Sequence, residues 1–168
     1  MVIILLRHAK ALQFEGTKPD FERPLRPKGI KQCMALAEAV PDVLKFTEGI
    51  RPRIWCSPAL RTLQTHIYGL PWAQRKTTDS TEDLTLYPDW LYLAESPRFE
   101  SELHALGDQK PLMIIGHNNG LSDWAHKLTG GLAFPLGTCH FIVLRQNSLP
   151  LAGKFQIAYR WEPPQIMD

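Results

Sequence analysis

The chain of 168 residues lacks any uninterrupted apolar run near the ~18 residues that a membrane-spanning helix needs. Its opening apolar stretch, Met1 to Leu6, meets Arg7 without a preceding basic region and is too short for a signal core, so a soluble, cytoplasmic protein is expected. There is no block of one charge either. Lysine and arginine total 19 against 17 acidic residues, and their scatter gives little support for a nucleic-acid-binding face. Cysteine is sparse: Cys33, Cys56 and Cys139 form no CxxC pair, which excludes a disulfide scaffold and fits small, reduced core residues.

Metal-binding patterns are missing as well. Nothing reads HExxH, and His66, His104, His126 and His140 lack the spacing of a zinc site. The carboxylates do not cluster as a magnesium-dependent phosphatase requires, so neither a metal nor another cofactor is expected. The loop of a cysteine phosphatase is also absent. In "CSPALR", Cys56 stands one residue short of the C-x5-R spacing to Arg61, and Pro58 has no N–H to offer a phosphate.

What remains is a composition of 44% hydrophobic and 21% charged residues, ordinary for one folded domain over residues 1–168 and silent on oligomeric state. Val2 to Leu6 is aliphatic without alternation and reads as a strand buried on both faces, at the centre of a sheet. Lys28 to Val40 places Ile30, Cys33, Leu36, Ala37 and Val40 at helical spacing, ending before Pro41. Arg53 to Cys56 is a second strand. Ser57 as N-cap and Pro58 as first helical residue then predict a helix through about Tyr68.

Gly69 to Pro88 reads as an irregular excursion, and Ser96 with Pro97 repeats the capping signal before a helix to Leu106. Leu112 to Ile115 is a third apolar strand, followed by a tight loop, Gly116 to Gly120, and a helix that stops near Gly130 and Gly131. His140 to Arg145 and Phe155 to Trp161 are two closing strands. Alternation of this kind predicts an α/β fold of three layers, α/β/α, with a mostly parallel central sheet.

Ligands of such sheets sit beyond the carboxyl ends of the strands. That rule gathers Arg7 and His8, the helix after Ser57 with Arg61 in its first turn, and His117 on one rim. Two guanidiniums and two imidazoles there suit a phosphoryl group, because an arginine fork binds two oxygens and stays charged. A neutral imidazole can attack phosphorus; His8, fixed at a strand end, is the candidate nucleophile. His117 would bind the transferring oxygens, and the amide of Asn118 would help if it opened the following helix. Each piece alone is more often a rim or loop residue, so the case rests on their joint placement.

These residues carry a resemblance. "LLRHAK" resembles the RHG-type signature of the histidine phosphatase, or phosphoglycerate mutase-like, superfamily; "SPALRTLQT" is similar to its second arginine motif and "IIGHNNGL" to its second histidine motif. "ERPLRPKGIKQ" and "EDLTLYP" resemble segments of the short bacterial phosphohistidine phosphatases of the SixA type. The resemblance implies a phosphoglycerate mutase-like fold and a phosphorylated nucleophile at His8, with Arg7, Arg61 and His117 as the phosphate pocket. Ala9 stands where the superfamily has glycine. For the carboxylate that larger members use as general acid, Asp83 and Glu82 are the candidates here.

A phosphoramidate needs little help from an acid, because a protonated imidazole leaves readily, whereas an alkoxide does not. The expected substrate is therefore a phosphoprotein carrying phosphohistidine; the enzymatic alternative is a small-molecule phosphomonoesterase or mutase of the same superfamily, acting on a small phosphate ester. A non-catalytic phosphoprotein-binding module is the alternative outside catalysis.

Overall fold

A computed structural model describes residues 1–16, 19–74, 85–107, 110–146 and 154–166, with the side chains of residues 41 and 42 left out. Strand β1 (Val2–Arg7) pairs in parallel with β4 (Leu112–Gly116), which pairs in parallel with β2 (Arg53–Cys56). The edge strand β3 (Thr85–Leu86) adds to β2, also in parallel. On the other side, β5 (Phe141–Gln146) runs antiparallel to β1, and β6 (Phe155–Trp161) antiparallel to β5. The order is β3-β2-β4-β1-β5-β6, which puts β1 inside the sheet as its unbroken apolar run requires.

Both faces of that run are covered. Ile3 and Leu5 pack on one side with Phe99 of α3 (Ser96–Leu106) and Leu121, Trp124 and Ala125 of α4 (Gly120–Leu128). Ile4 and Leu6 pack on the other with Cys33, Leu36 and Val40 of α1 (Pro27–Val43), and α2 (Leu60–Gly69) lies beside α1. This is the α/β/α layering that the strand and helix alternation predicted. Cys33, Cys56 and Cys139 are buried and free. Among the described residues, no helix is long and apolar enough to cross a membrane.

Several boundaries differ from the sequence reading. Helix α3 takes in Ser96, expected as its cap, and has Glu95 at the N-cap, with no side-chain bond capping the first turn. Helix α1 continues through Pro41 to Val43, because one further turn buries Val43 in the same cluster as Leu36 and Val40. Packing there outweighs the steric bias of the residue before proline. Helix α2 begins at Leu60, with Ala59 rather than Ser57 at its N-cap. Thr62 explains the delay: its hydroxyl donates to the Ser57 and Ala59 carbonyls, at 2.7 and 2.6 Å, and holds those residues in a turn. Within the stretch read as irregular, Thr85 and Leu86 form the short edge strand, too brief to show a period.

Two glycines bring loops against helices. A Cβ on Gly29, in the first turns of α1, would collide with the Lys10 carbonyl, and one on Gly120 would collide with the Ala94 carbonyl. The loop after β1 is thus laid directly on α1, where Gln32 Oε1 accepts from the Lys10 amide at 2.8 Å. Helix α4 also ends as expected, with Gly130 and Gly131 in left-handed backbone at φ 64° and 96°.

Candidate active site

The strand register brings the predicted pieces to one level. Arg7 is opposite Gly116, Cys56 is opposite Ile115, and the His8 amide donates to the Gly116 carbonyl at 3.1 Å. His8, His117 and Ser57 therefore follow the ends of adjacent strands. With Arg7 and Arg61 they surround or underlie a pocket of about 370 Å³. All four principal candidates, Arg7, His8, Arg61 and His117, line it, and Asn118 lines it too.

His8 is buried, with its ring centroid 5.3 Å from that of His117. Its Nδ1 is 2.8 Å from the Ala9 carbonyl oxygen. A carbonyl can only accept, so Nδ1 carries the hydrogen and Nε2 carries the lone pair. Burial lowers the His8 pKa to about 3 against the opposing effect of the Ala9 bond, and the charges of Arg61, Arg7 and Arg23 push the same way. The imidazole is consequently neutral at physiological pH.

His117 is held differently. Its Nε2 lies 2.7 Å from Ser57 Oγ, and its Nδ1 is buried without a partner among the described residues. Burial, followed by the Arg61 and His8 charges, lowers its pKa to about 2. Ser57, expected as a helix cap, serves here as the orienting partner of this ring. The Tyr92 ring meets the same imidazole edge-on at 5.6 Å.

The arginines are fixed by carbonyls and by one carboxylate. Arg7 Nη1 donates to the Leu136 carbonyl at 2.8 Å. Arg61, only 1% exposed, donates from Nη1 to the Asp20 carbonyl at 2.7 Å and from Nη2 to Asp20 Oδ2 at 2.8 Å. Arg23 Nε and Nη2 reach Asp20 Oδ1 at 3.0 and 2.8 Å, and the Tyr92 hydroxyl donates to Oδ2 at 2.8 Å. The Nε atoms of Arg7 and Arg61 are buried with no partner among the described residues.

Asp20, Arg23, Ser57 and Tyr92 are the site residues that sequence reasoning missed. Asp20 and Arg23 lie just before and within the quoted "ERPLRPKGIKQ", and their spacing of three places both on one short turn, Asp20–Glu22 followed by Arg23. That spacing was the available signal. Asp20 is the sole carboxylate among the described residues lining the pocket. Burial works to raise its pKa, but the bonds from Tyr92 and Arg23 and the charge of Arg61 outweigh it and hold the carboxyl ionised.

Asn118 does not open the helix. Helix α4 starts two residues later at Gly120, where the missing side chain permits the close approach to Ala94. Asn118 Nδ2 donates to the Leu136 carbonyl at 2.8 Å, and its Oδ1 accepts from Ser122 Oγ at 2.8 Å, so the side chain braces the loop that also holds Arg7. Asp83 and Glu82 lie outside the described residues. Burial raises the Cys56 pKa and keeps its thiol protonated, in keeping with the rejection of a cysteine nucleophile.

Such a site can bind a tetrahedral oxyanion and present one neutral ring nitrogen to its centre. No family model and no curated protein sequence matches the chain. Solved structures do. A protein assigned as the phosphohistidine phosphatase SixA of Agrobacterium tumefaciens superposes with a TM-score of 0.73 at 24% identity, over 96% of this chain and 98% of that one. The protein histidine phosphatase SixA complexed with tungstate gives 0.72 at 18% identity, over 97% of each chain. The α-ribazole phosphatase of Shigella flexneri gives 0.60 at 18%, over 88% of this chain and 92% of its own. The chain has the phosphoglycerate mutase-like fold that its three motifs implied.

Proposed function

We propose that the protein is a phosphatase acting through a phospho-His8 intermediate, with protein phosphohistidine as its substrate. The observation that carries this reading is the bond from His8 Nδ1 to the Ala9 carbonyl, which leaves Nε2 as a fixed nucleophile inside a cationic pocket. Arg7 and Arg61 restrain the phosphoryl oxygens, and their partnerless Nε–H groups are suited to donate to them. On this reading the Ser57 hydroxyl is assigned as donor to His117 Nε2, 2.7 Å away, which puts the hydrogen of that ring on Nδ1 as a further oxygen-binding donor.

In the first step, the Nε2 lone pair of His8 attacks phosphorus as the substrate N–P bond breaks. The bonding pair goes to the leaving imidazole, which departs neutral because its other nitrogen is protonated. Phospho-His8 keeps its Nδ1–H on Ala9 throughout. Water then attacks phosphorus and His8 leaves as the same neutral imidazole, while the proton of the water passes to phosphate or solvent. Neither departure requires an acid.

That economy supports the choice of substrate. An alkoxide leaving from a phosphate ester calls for a proton donor, and Asp20 is unsuited because it is ionised and all four of its acceptor positions are occupied by Arg23, Arg61 and Tyr92. Likeness to the two SixA structures, one of them holding the tetrahedral oxyanion tungstate, supports the same reading. No metal enters these steps, since the positive charge on the oxygens comes from arginine. The test compares kcat/KM for N-acetylphosphohistidine and for a sugar phosphate. A preference of at least 100-fold for the phosphoramidate is expected; equal or greater turnover of the ester would overturn the assignment.

A further inference from the structure

Leu93 lies on the pocket wall in left-handed backbone, at φ 52°, with 51% of its surface exposed. The chain needs that reversal. Leu91 is buried in the core, Tyr92 is tied to Asp20, and the Ala94 carbonyl is pressed against Gly120, so the residue between them must turn. Left-handed backbone suits glycine or asparagine, whereas a leucine Cβ strains it. The turn explains the conformation but leaves the leucine unexplained. Burial does not explain it either, because half of the side chain stands in water.

Position supplies the reason. Leu12, 46% exposed, lines the same pocket from the loop after β1, and Phe21, 39% exposed, packs edge-on against Tyr92 at 5.1 Å. Scattered apolar residues are normal on a surface. Here Leu12 and Leu93 line the pocket that holds His8, with Phe21 beside Tyr92. A phosphoryl group gains nothing from aliphatic contact, so whatever these residues touch must flank the phosphoryl group.

We infer that Leu12 and Leu93 form an apolar lip that selects phosphohistidine flanked by aliphatic side chains in a protein substrate, and that the strain at Leu93 is retained for this contact. The inference rests on the phosphohistidine reading above. It assigns to the lip the discrimination among substrates that the polar floor cannot make, since the floor meets only the phosphoryl group.

The probes are N-acetylphosphohistidine and two heptapeptides whose central histidine is phosphorylated with phosphoramidate, one flanked by leucine and one by serine. The wild type should favour the leucine-flanked peptide by about tenfold in kcat/KM, mainly through KM. Leu93→Gly and Leu12→Ser should each reduce that ratio, and together bring it to about one, without a matching loss on N-acetylphosphohistidine. Leu93→Gly should also leave Tm unchanged or raised, as a merely structural leucine would not. Equal turnover of the two peptides by the wild type, or a ratio that survives in the double variant, overturns the lip while the phosphatase stands. Failure of the wild type to hydrolyse any of the three probes overturns both readings.

Discussion

The floor and the mouth of the pocket are built on opposite terms. On the floor, His8, Arg61 and His117 are 8%, 1% and 3% exposed, and each is fixed by a carbonyl, a carboxylate or a hydroxyl. At the mouth, Leu12 and Leu93 expose about half of their surface. The difference teaches where each property of the proposed enzyme resides. Burial on the floor keeps the imidazoles neutral beside arginines, which the proposed nucleophile requires; exposure at the mouth leaves side chains free to meet a partner that varies.

The largest effect expected from breaking the floor is at His8. His8→Ala should lower kcat by about 10⁴-fold or more on every substrate, and Arg61→Ala by about 10² to 10³-fold, with the fold intact by circular dichroism. Residual activity of His8→Ala within tenfold of wild type would place the nucleophile elsewhere.

Burial of the two imidazoles also has a signature in stability. Both stay neutral in the folded protein down to pKa values of about 3 and about 2, while in the unfolded chain they protonate near ~6.5. The unfolded state therefore binds more protons below ~6.5, and stability falls as pH falls, by up to about 1.4 kcal/mol per pH unit for each histidine. Urea unfolding between pH 5 and pH 8 should show this loss on the acid side, where His140, also lowered by burial, adds to it, and His117→Asn should shrink the slope measurably. A slope unchanged by His117→Asn would contradict the neutral assignment.

A smaller effect is expected at Asp20, which joins floor to mouth by holding Arg61 and Arg23 together. Asp20→Asn leaves Arg61 buried without its counterion, at a cost of about 1–2 kcal/mol given the partial exposure of Asp20. Added inorganic phosphate can take the place of the carboxylate. Its stabilising shift in Tm should therefore be larger for the variant than for the wild type, and an equal shift would show that Asp20 does not set the charge of the pocket.

The two regions also differed in how far the sequence disclosed them. Floor residues follow strands that bury both faces, and the apolar runs Val2 to Leu6 and Leu112 to Ile115 mark those strands without ambiguity. Once the strands are parallel neighbours, Arg7, His8 and His117 must share a rim. The partners of these residues depend on side-chain reach instead. Ser57 binds His117 across 60 positions and Tyr92 binds Asp20 across 72, and no local period encodes such contacts. Capping signals misled at Ser57 because Thr62 held the preceding turn open. Backbone strain at Leu93 likewise leaves no mark in composition.

The most direct measurement of the central claim is to mix the protein with N-acetylphosphohistidine, quench within one turnover in alkaline denaturant, and locate phosphate by mass spectrometry. One phosphoryl group on His8, gained and lost at rates that match turnover and absent in His8→Ala, is the predicted result. Steady hydrolysis with His8 never labelled would show that water attacks the substrate directly, and the nucleophile assigned to the end of β1 would have no role.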